Sequence, residues 1–354
     1  MEIWFFPYLL VFRRRNVGPW RLVPKKSIRP RDAAGPGLLK AARGVGSLYE
    51  TDPDPLISTK FGAFVIRRSQ TVGAVHDRGS MQALRRAVVA ALLDGNPIEE
   101  SPQPSGHGAW TSDNAVLFGH PVTGSGSVTV EHGAMVRTLV SGYRPGSAGS
   151  TIRPPTELHL PLLGQDLDPE YATVIYRLLV KGDDFAARLG RVIDWLDLAW
   201  RNTTSIDADL RIMALRSGFE VLLSRMDEED PVTLAHALSH LLDPPGAKKC
   251  VRHWKRRSGK PTSQALTDLE WWFVTFTFLR NAVAHGVSVT PQAYFFDTKS
   301  HVMVAEANLR RAVKARVLAR GYKWLRLDPL NRRIERAWAK LGRRLPGVQR
   351  GSLG

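Results

Sequence analysis

Three polar residues near position 280 have side chains suited to acid–base and charge-stabilising chemistry. Arg280 and Asn281 are adjacent, and His285 follows four residues after Asn281, directly before Gly286. An imidazole can accept or donate a proton near neutral pH. A guanidinium, which keeps its charge, can stabilise negative charge that grows on a phosphoryl group. These residue types suit phosphodiester cleavage without a metal, with RNA as the target because its 2′-hydroxyl is an internal nucleophile.

The spacing limits what one copy of this motif can do. With about 100° per residue, Arg280 and His285 lie about 140° apart around a helix, whereas Asn281 and His285 share a face. Two copies related by a two-fold axis would bring two arginines and two histidines into one cleft. The motif therefore predicts a homodimer.

A purely structural role is the alternative for the same residues. Arg280 could pair with an acid such as Glu220, and Asn281 could cap backbone groups. His285 could close a helix C-terminus, where positive charge is favoured. We expect Glu220 itself to be structural, because an acid on a buried helix is usually the partner of an arginine.

Helical patterns dominate the second half of the chain. Apolar residues at helical spacing predict helices over residues 168–201, 207–226, 232–242, 263–285 and 305–325. Residues 331–345 are either one more basic helix or a loose tail. The aromatic run that begins at Trp271 and Trp272 falls on all faces of its helix, which indicates core, with a base-stacking surface as the alternative. We therefore expect an all-α bundle over about residues 165–326, followed by a basic tail over 327–354.

The first 160 residues have a mixed α/β pattern. Short apolar runs at 61–66 and 128–136 predict strands, and residues 81–93 predict a helix. The stretches 99–113 and 144–156 are rich in Pro, Ser and Gly and are typical of loops. The expected fold is thus α+β overall, with a mixed α/β N-terminal region before the all-α bundle. No motif assigns the N-terminal region a role. One hypothesis is that it senses a ligand or phage component and keeps the second half of the chain inactive.

Composition narrows the class of protein. The chain has 354 residues, a formal net charge of +17 and a pI near 10.4, an excess that favours polyanionic partners. A single cysteine excludes an internal disulfide framework and fits a reducing compartment. The apolar run over residues 3–12 contains Pro7 and is about half as long as a membrane span. Its arginines follow it, unlike those of a secretory signal. We expect a cytoplasmic protein with no membrane contact.

Basic residues cluster in three places. Residues 1–44 carry a net charge of +8, and residues 310–354 carry +12. Residues 248–260, a predicted loop, hold seven basic residues and no acid. RNA-contact candidates in that loop are Lys248, Lys249, Arg252, Trp254, Lys255, Arg256 and Arg257. The alternative is an ordinary solvated surface.

A zinc site is the one metal centre that the residue types suggest. His236 and His240 lie four residues apart, and Cys250 and His253 follow. The basic residues around Cys250 and His253 would repel a cation, so we expect no metal and no cofactor.

The helix that ends in Arg280-Asn281-x-x-x-His285-Gly286 resembles the HEPN superfamily, in particular the Apea-like HEPN domains of prokaryotes. The segment from Arg211 to Leu223, with Glu220 before paired apolar residues, resembles their earlier helix. The resemblance covers roughly residues 190–290. It implies a helical bundle, frequent dimerisation and, in many members, RNA cleavage linked to phage defence, toxin–antitoxin pairs or RNA-guided systems.

By this likeness Arg280 and His285 would be catalytic, and Asn281 would orient the histidine or the RNA. An antitoxin or a sensor protein would be a further partner. We expect a metal-independent endoribonuclease of HEPN type. The alternative is a non-catalytic module that binds RNA or protein through the same bundle.

Overall fold

The computed structural model describes residues 1–49, 61–72, 74, 76–95, 112–122, 128–132, 135–139, 167–201, 206–224, 230–255, 261–287 and 297–323. The fold is α+β, with helices and antiparallel sheet. The described residues form two compact units. One contains those up to 190 together with 200 and 201, and the other contains 191–199 and those from 206 onward.

A five-stranded antiparallel sheet forms the centre of the first unit. Its strands are β1 (Glu2–Leu10), β2 (Arg15–Val17), β3 (Trp20–Pro24), β4 (Phe61–Arg67) and β5 (Phe118–Pro121), in the order β2-β3-β4-β1-β5. Phe5 on β1 pairs with Phe64 on one side and with Phe118 on the other. The apolar run at the N-terminus, to which we assigned no structure from sequence, is therefore a buried strand inside the sheet.

Helices from the described part of the first unit accompany this sheet. Helix α1 (Pro36–Leu48) packs its apolar side into the same buried cluster as Phe5 and Phe64. Helices α2 (Arg78–Gly95) and α3 (Pro169–Leu179) pack against each other. The N–H of Gly18, in the turn between β2 and β3, donates to Thr173 Oγ1 of α3 at 3.0 Å.

The strand and helix predictions for this region hold in part. Residues 61–66 lie in β4 and 81–93 lie in α2, as predicted. The single strand predicted over 128–136 is instead an antiparallel pair, β6 (Val128–His132) and β7 (Met135–Leu139). The predicted loops at 99–113 and 144–156 lie outside the described residues, apart from 112 and 113.

The long helix predicted over 168–201 is two helices. Helix α3 ends at Leu179, and α4 (Asp184–Ala199) begins after a turn in which Gly182 has φ +70°. A left-handed residue cannot continue a right-handed helix, and glycine adopts that conformation without strain. Helix α3 belongs to the first unit, so the bundle begins later than the expected residue 165.

The sequence predicts an all-α bundle here, but the described residues of the second unit combine helices with a hairpin. Its elements are the end of α4, α5 (Ala208–Leu223), α6 (Pro231–Leu242), β8 (Cys250–Lys255), β9 (Pro261–Leu266), α7 (Asp268–Ala284) and α8 (Thr298–Ala319). Helices α5 and α6 each pack against both α7 and α8. Gly218 lets α5 approach α8 closely, because a Cβ there would lie 2.7 Å from Leu309.

Two of the predicted helices in this unit are confirmed and two have wrong bounds. The helices predicted over 207–226 and 232–242 are α5 and α6. The helix predicted from residue 263 starts only after Thr267, because residues 261–266 form β9. The last helix spans Thr298–Ala319 instead of 305–325. Residues 331–345 and the basic tail lie outside the described residues.

None of the described helices is both long enough and apolar enough to cross a membrane.

Candidate functional site

Helix α7 carries the Arg280–His285 motif in its last turn. The helix begins with a capping box, in which Thr267 Oγ1 accepts from the Glu270 N–H and the Glu270 carboxylate accepts from the Thr267 N–H. Its first residue is Asp268 and its C-cap is His285. A buried carboxylate therefore anchors the first end of the helix, and the other end carries the motif.

The aromatic residues of α7 form core, as the sequence indicates. Trp272, Phe273 and Phe276 are buried, and Phe273 lies edge-on to Phe219 of α5 with ring centroids 5.2 Å apart. This packing fixes the rotation of α7 about its axis. The rotation in turn decides which residues of the last turn meet α5.

Arg280 and Asn281 interact with each other. The Arg280 Nη1 donates to Asn281 Oδ1 at 3.1 Å, and both side chains are partly buried. The Asn281 amide thus contacts the guanidinium of its neighbour. No hydrogen-bond partner for the buried Nε of Arg280 occurs among the described residues.

His285 is exposed beyond the last helical turn. The N–H of Gly286 donates to the Val283 carbonyl at 3.0 Å, and the N–H of Val287 donates to the Ala282 carbonyl at 2.9 Å. With Gly286 at φ +65°, these two bonds make a Schellman ending, which explains why glycine follows the histidine. The imidazole lies at the negative end of the helix dipole and is open to solvent.

Glu220 pairs with an arginine, but with Arg216 and not with Arg280. Glu220 Oε1 lies 3.0 Å from Arg216 Nη1, one turn earlier on α5. Arg216 is 1% exposed, and its Nε donates to Thr277 Oγ1 of α7 at 2.9 Å. Burial lowers the pKa of Arg216 to about 10, with the Glu220 carboxylate acting to raise it and the charge of Arg280 to lower it.

The basic segment predicted as a loop is largely a hairpin. Strand β8 pairs with β9, and Trp254 lies opposite Thr262. The Trp254 side chain is 8% exposed and packs on Trp271, with ring centroids 5.7 Å apart. The structure thus uses the Trp254 ring in packing, and its contact with RNA stays a prediction.

The cations of this hairpin differ in their surroundings. Lys248 and Lys249 are exposed, and Lys249 Nζ lies 3.5 Å from a carboxylate oxygen of Glu270. Arg252 forms an ion pair with Asp268 at 2.7 Å. The Lys255 side chain, Arg256 and Arg257 lie outside the described residues.

The hairpin and the catalytic candidates lie at opposite ends of α7. Arg252 is paired with the first residue of the helix, whereas Arg280 follows twelve residues later. At 1.5 Å per residue the separation along the axis is about 18 Å. One copy of the chain thus does not bring the two predicted groups together.

His236 takes part in a hydrogen-bonded cluster at the start of α7. Its Nδ1 lies 2.7 Å from Glu270 Oε1, and its Nε2 lies 3.1 Å from the amide nitrogen of Gln264. Burial acts to raise the pKa of Glu270, but the hydrogen bonds from His236 and the Thr267 N–H outweigh it, and the pKa falls below its ordinary value. Within the described ranges, no three His, Cys, Asp or Glu residues approach closely enough to hold a metal ion.

Arg216 and Glu270 are the two charged residues of this region that sequence reasoning missed. Arg216 lies on the apolar stripe of α5, between Ile212 and Phe219, where a charge signals a buried partner. Glu270 lies three residues after Thr267, the spacing of a capping box. Both signals were present in the sequence.

No protein-family model matches the chain, and neither a curated protein nor a solved structure matches it.

Proposed function

We propose that the end of α7 is a metal-independent endoribonuclease site of HEPN type, completed by a second copy of the chain. The observation that carries the proposal is the arrangement of Arg280, Asn281 and His285 in the last turn of α7. Asn281 holds the Arg280 guanidinium, and the His285 imidazole is exposed beyond the Schellman ending. A fixed cation and an accessible proton-transfer group are what such chemistry requires.

The proposed reaction needs only groups of the chain and of the RNA. One His285 removes the proton from a 2′-hydroxyl, and the 2′-oxygen bonds to the adjacent phosphorus. The bond from phosphorus to the 5′-oxygen breaks, and an imidazolium, His285 of the second copy, gives a proton to that oxygen. Arg280 stabilises the negative charge that develops on the phosphoryl oxygens. The products are a 2′,3′-cyclic phosphate and a 5′-hydroxyl.

The helical geometry supports a site of two copies. Arg280 and His285 diverge by about 140° around α7, so one helix does not direct both side chains at one phosphate. A two-fold axis near the helix end would let each copy supply one proton-transfer group. The proposed active form is therefore a homodimer.

Lys248 and Lys249 are the proposed contacts to more distant phosphates of the RNA. Both are exposed and directly precede β8. Because Lys249 lies against Glu270, ten residues and about 15 Å along α7 from Arg280, these lysines would bind a part of the RNA remote from the scissile bond.

This same separation favours a second candidate function, RNA binding without cleavage. A hairpin that binds RNA far from the motif could act without it. The family resemblance supports a setting in phage defence or in a toxin–antitoxin pair, with an antitoxin or sensor as partner, and we propose that setting for the nuclease.

Cleavage of labelled RNA in EDTA by the purified full chain tests the proposal. We expect cleavage by the wild type and a loss of at least 100-fold in Arg280→Ala and in His285→Ala. His240→Ala is a matched control, because His240 is another exposed histidine in the last turn of a helix. RNA binding without cleavage in all variants would favour the binding module, and equal cleavage in all would refute the site.

A further inference from the structure

We infer that Arg216 is a positioning residue for this site, which holds the Glu220 carboxylate away from Arg280 so that the Arg280 guanidinium stays available for phosphate. The consequence for RNA rests on the proposed function, whereas the competition between the two arginines does not.

Three neighbours fix the Arg216 guanidinium in place. Its Nε donates to Thr277 Oγ1, its carbon lies 5.0 Å from the centroid of the Phe273 ring, and its Nη1 lies 3.0 Å from Glu220. Thr277 Oγ1 in turn donates to the Phe273 carbonyl at 3.0 Å, which sets the direction in which the hydroxyl can accept. A side chain that is 1% exposed and held in this way has little freedom to move.

Burial of Arg216 determines which arginine binds the carboxylate. A charge out of water requires a partner, and removal of the partner of a buried charge is strongly destabilising. Glu220, which is 39% exposed, is the acid within reach, one helical turn away. The partly buried Arg280 has water and Asn281 as alternatives, so its need for the carboxylate is weaker.

Arg280 lies close enough to Arg216 for the two charges to interact. It lies three residues after Thr277 on α7, so it continues the face that meets Arg216. The charge of Arg280 acts on Arg216, whose pKa it helps to lower. The two guanidinium groups are thus neighbours, and the Glu220 carboxylate is bound to the buried one.

A net positive charge remains at the exposed side of this triad. Arg216, Glu220 and Arg280 together sum to one positive charge, which attracts an anion such as a phosphate. Without Arg216, the Glu220 carboxylate would turn to Arg280, neutralise it and repel the phosphate. Removal of both Arg216 and the charge of Glu220 would free Arg280 again.

The RNA test compares Arg216→Met, Glu220→Gln and the double variant. Per folded protein, we expect cleavage to fall at least tenfold in Arg216→Met, to remain within threefold of wild type in Glu220→Gln, and to recover to within threefold in the double variant. Arg188→Met, which breaks another i,i+4 pair with Asp184, is the control and should leave cleavage unchanged. If Arg216 acts by packing alone, the double variant will be no more active than Arg216→Met.

A second measurement decides the inference even if wild-type protein cleaves no RNA. Urea unfolding midpoints are measured for Glu220→Gln, Arg280→Gln and the two combined, and the coupling is the part of the combined effect that the single effects do not add up to. This double-mutant cycle is carried out twice, once in wild type and once with Arg216→Met. We expect a stabilising coupling that is clearly larger with Arg216→Met than in wild type. Equal coupling in both backgrounds would overturn the inference. If Arg216→Met does not fold, Arg216→Gln, whose amide nitrogen can still donate to Thr277 Oγ1, replaces it in the same cycle.

Discussion

The Nδ1 atom of His236 lies 2.7 Å from Oε1 of Glu270, and this contact joins α6 to the first turn of α7. Glu270 is 2% exposed, and its other oxygen accepts from the Thr267 N–H at 2.7 Å. One buried carboxylate thus connects a helix end, a second helix and, through His236, Gln264 of the hairpin. It anchors the helix whose opposite end carries Arg280 and His285.

Loss of the Glu270 charge should destabilise the second unit. We expect Glu270→Gln to lower the free energy of unfolding by about 2 kcal/mol, because the charge is lost and the single amide oxygen of glutamine can replace only one of the two carboxylate oxygens that contact His236 and the Thr267 N–H. Urea unfolding followed by tryptophan fluorescence measures the change. Asp268→Asn is the control, since Asp268 lies in the same turn but is 65% exposed, and its effect should stay below about 0.5 kcal/mol. Equal effects would show that the buried contact is not the anchor.

The stability of the first unit should depend on pH through His120. Burial lowers the pKa of His120 to about 4, and the Tyr49 hydroxyl lies 3.1 Å from its Nε2. Between pH 6.5 and about 4 the unfolded chain binds a proton that the folded one does not, so stability falls as the pH drops through this range. The loss should reach up to about 3 kcal/mol.

An NMR titration of the His120 ring checks the pH prediction directly. The ring should stay neutral at pH 5.5, and His120→Gln should flatten the pH dependence of unfolding between pH 6.5 and about 4. A ring that titrates at its ordinary pKa would contradict it.

Gly286→Ala should affect both stability and cleavage. Gly286 has φ +65°, and the space where a Cβ would lie is open, so alanine adds backbone strain alone, about 1 kcal/mol. Relief of that strain shifts His285, and we expect cleavage to fall several-fold. Gly246→Ala is the control: Gly246 has φ +79° and equally open surroundings, so it should lose similar stability while cleavage is unchanged. Equal cleavage in the two variants would argue against a role for the helix ending.

Charge on the hairpin should set the salt dependence of RNA binding. The double variant Lys248→Gln/Lys249→Gln should bind RNA more weakly, and the slope of log affinity against log salt should fall by about 0.7 for each phosphate that is no longer neutralised. Fluorescence anisotropy at several salt concentrations measures the slope. Lys40→Gln, an exposed lysine of α1, should leave it unchanged. An unchanged slope in the double variant would show that Lys248 and Lys249 do not contact RNA phosphates.

Sequence reasoning predicted the elements whose apolar pattern is long and regular. Helices α5 and α6 match the predicted ranges because each has an apolar stripe, an acid at its N-cap position and a clear stop. The end of α7 was also predictable, since Gly286 marks a helix stop. The α+β class follows from the same patterns.

The two strands of the hairpin, β8 and β9, escaped the same reasoning. Strand β8 contains several basic residues, and β9 alternates exposed and less exposed positions without a strong apolar side. Their pairing depends on tertiary contacts such as Trp254 on Trp271, which no local pattern encodes. The capping box at Thr267 was the one local signal for the true start of α7.

The charged contacts of the site were also predictable only in part. That Glu220 would pair with an arginine was predictable from its place on a buried helix. Which arginine it binds depends on how completely Arg216 is buried against α7, and this burial arises only when the helices pack together.

The RNA ends formed in EDTA test the central claim most directly. Mass spectrometry of fragments from wild-type protein should show 2′,3′-cyclic phosphate and 5′-hydroxyl ends, and no fragments should form with His285→Ala or with an RNA that is 2′-deoxy at the cleaved position. Fragments with 5′-phosphate ends, or cleavage that persists without the His285 imidazole, would contradict the account.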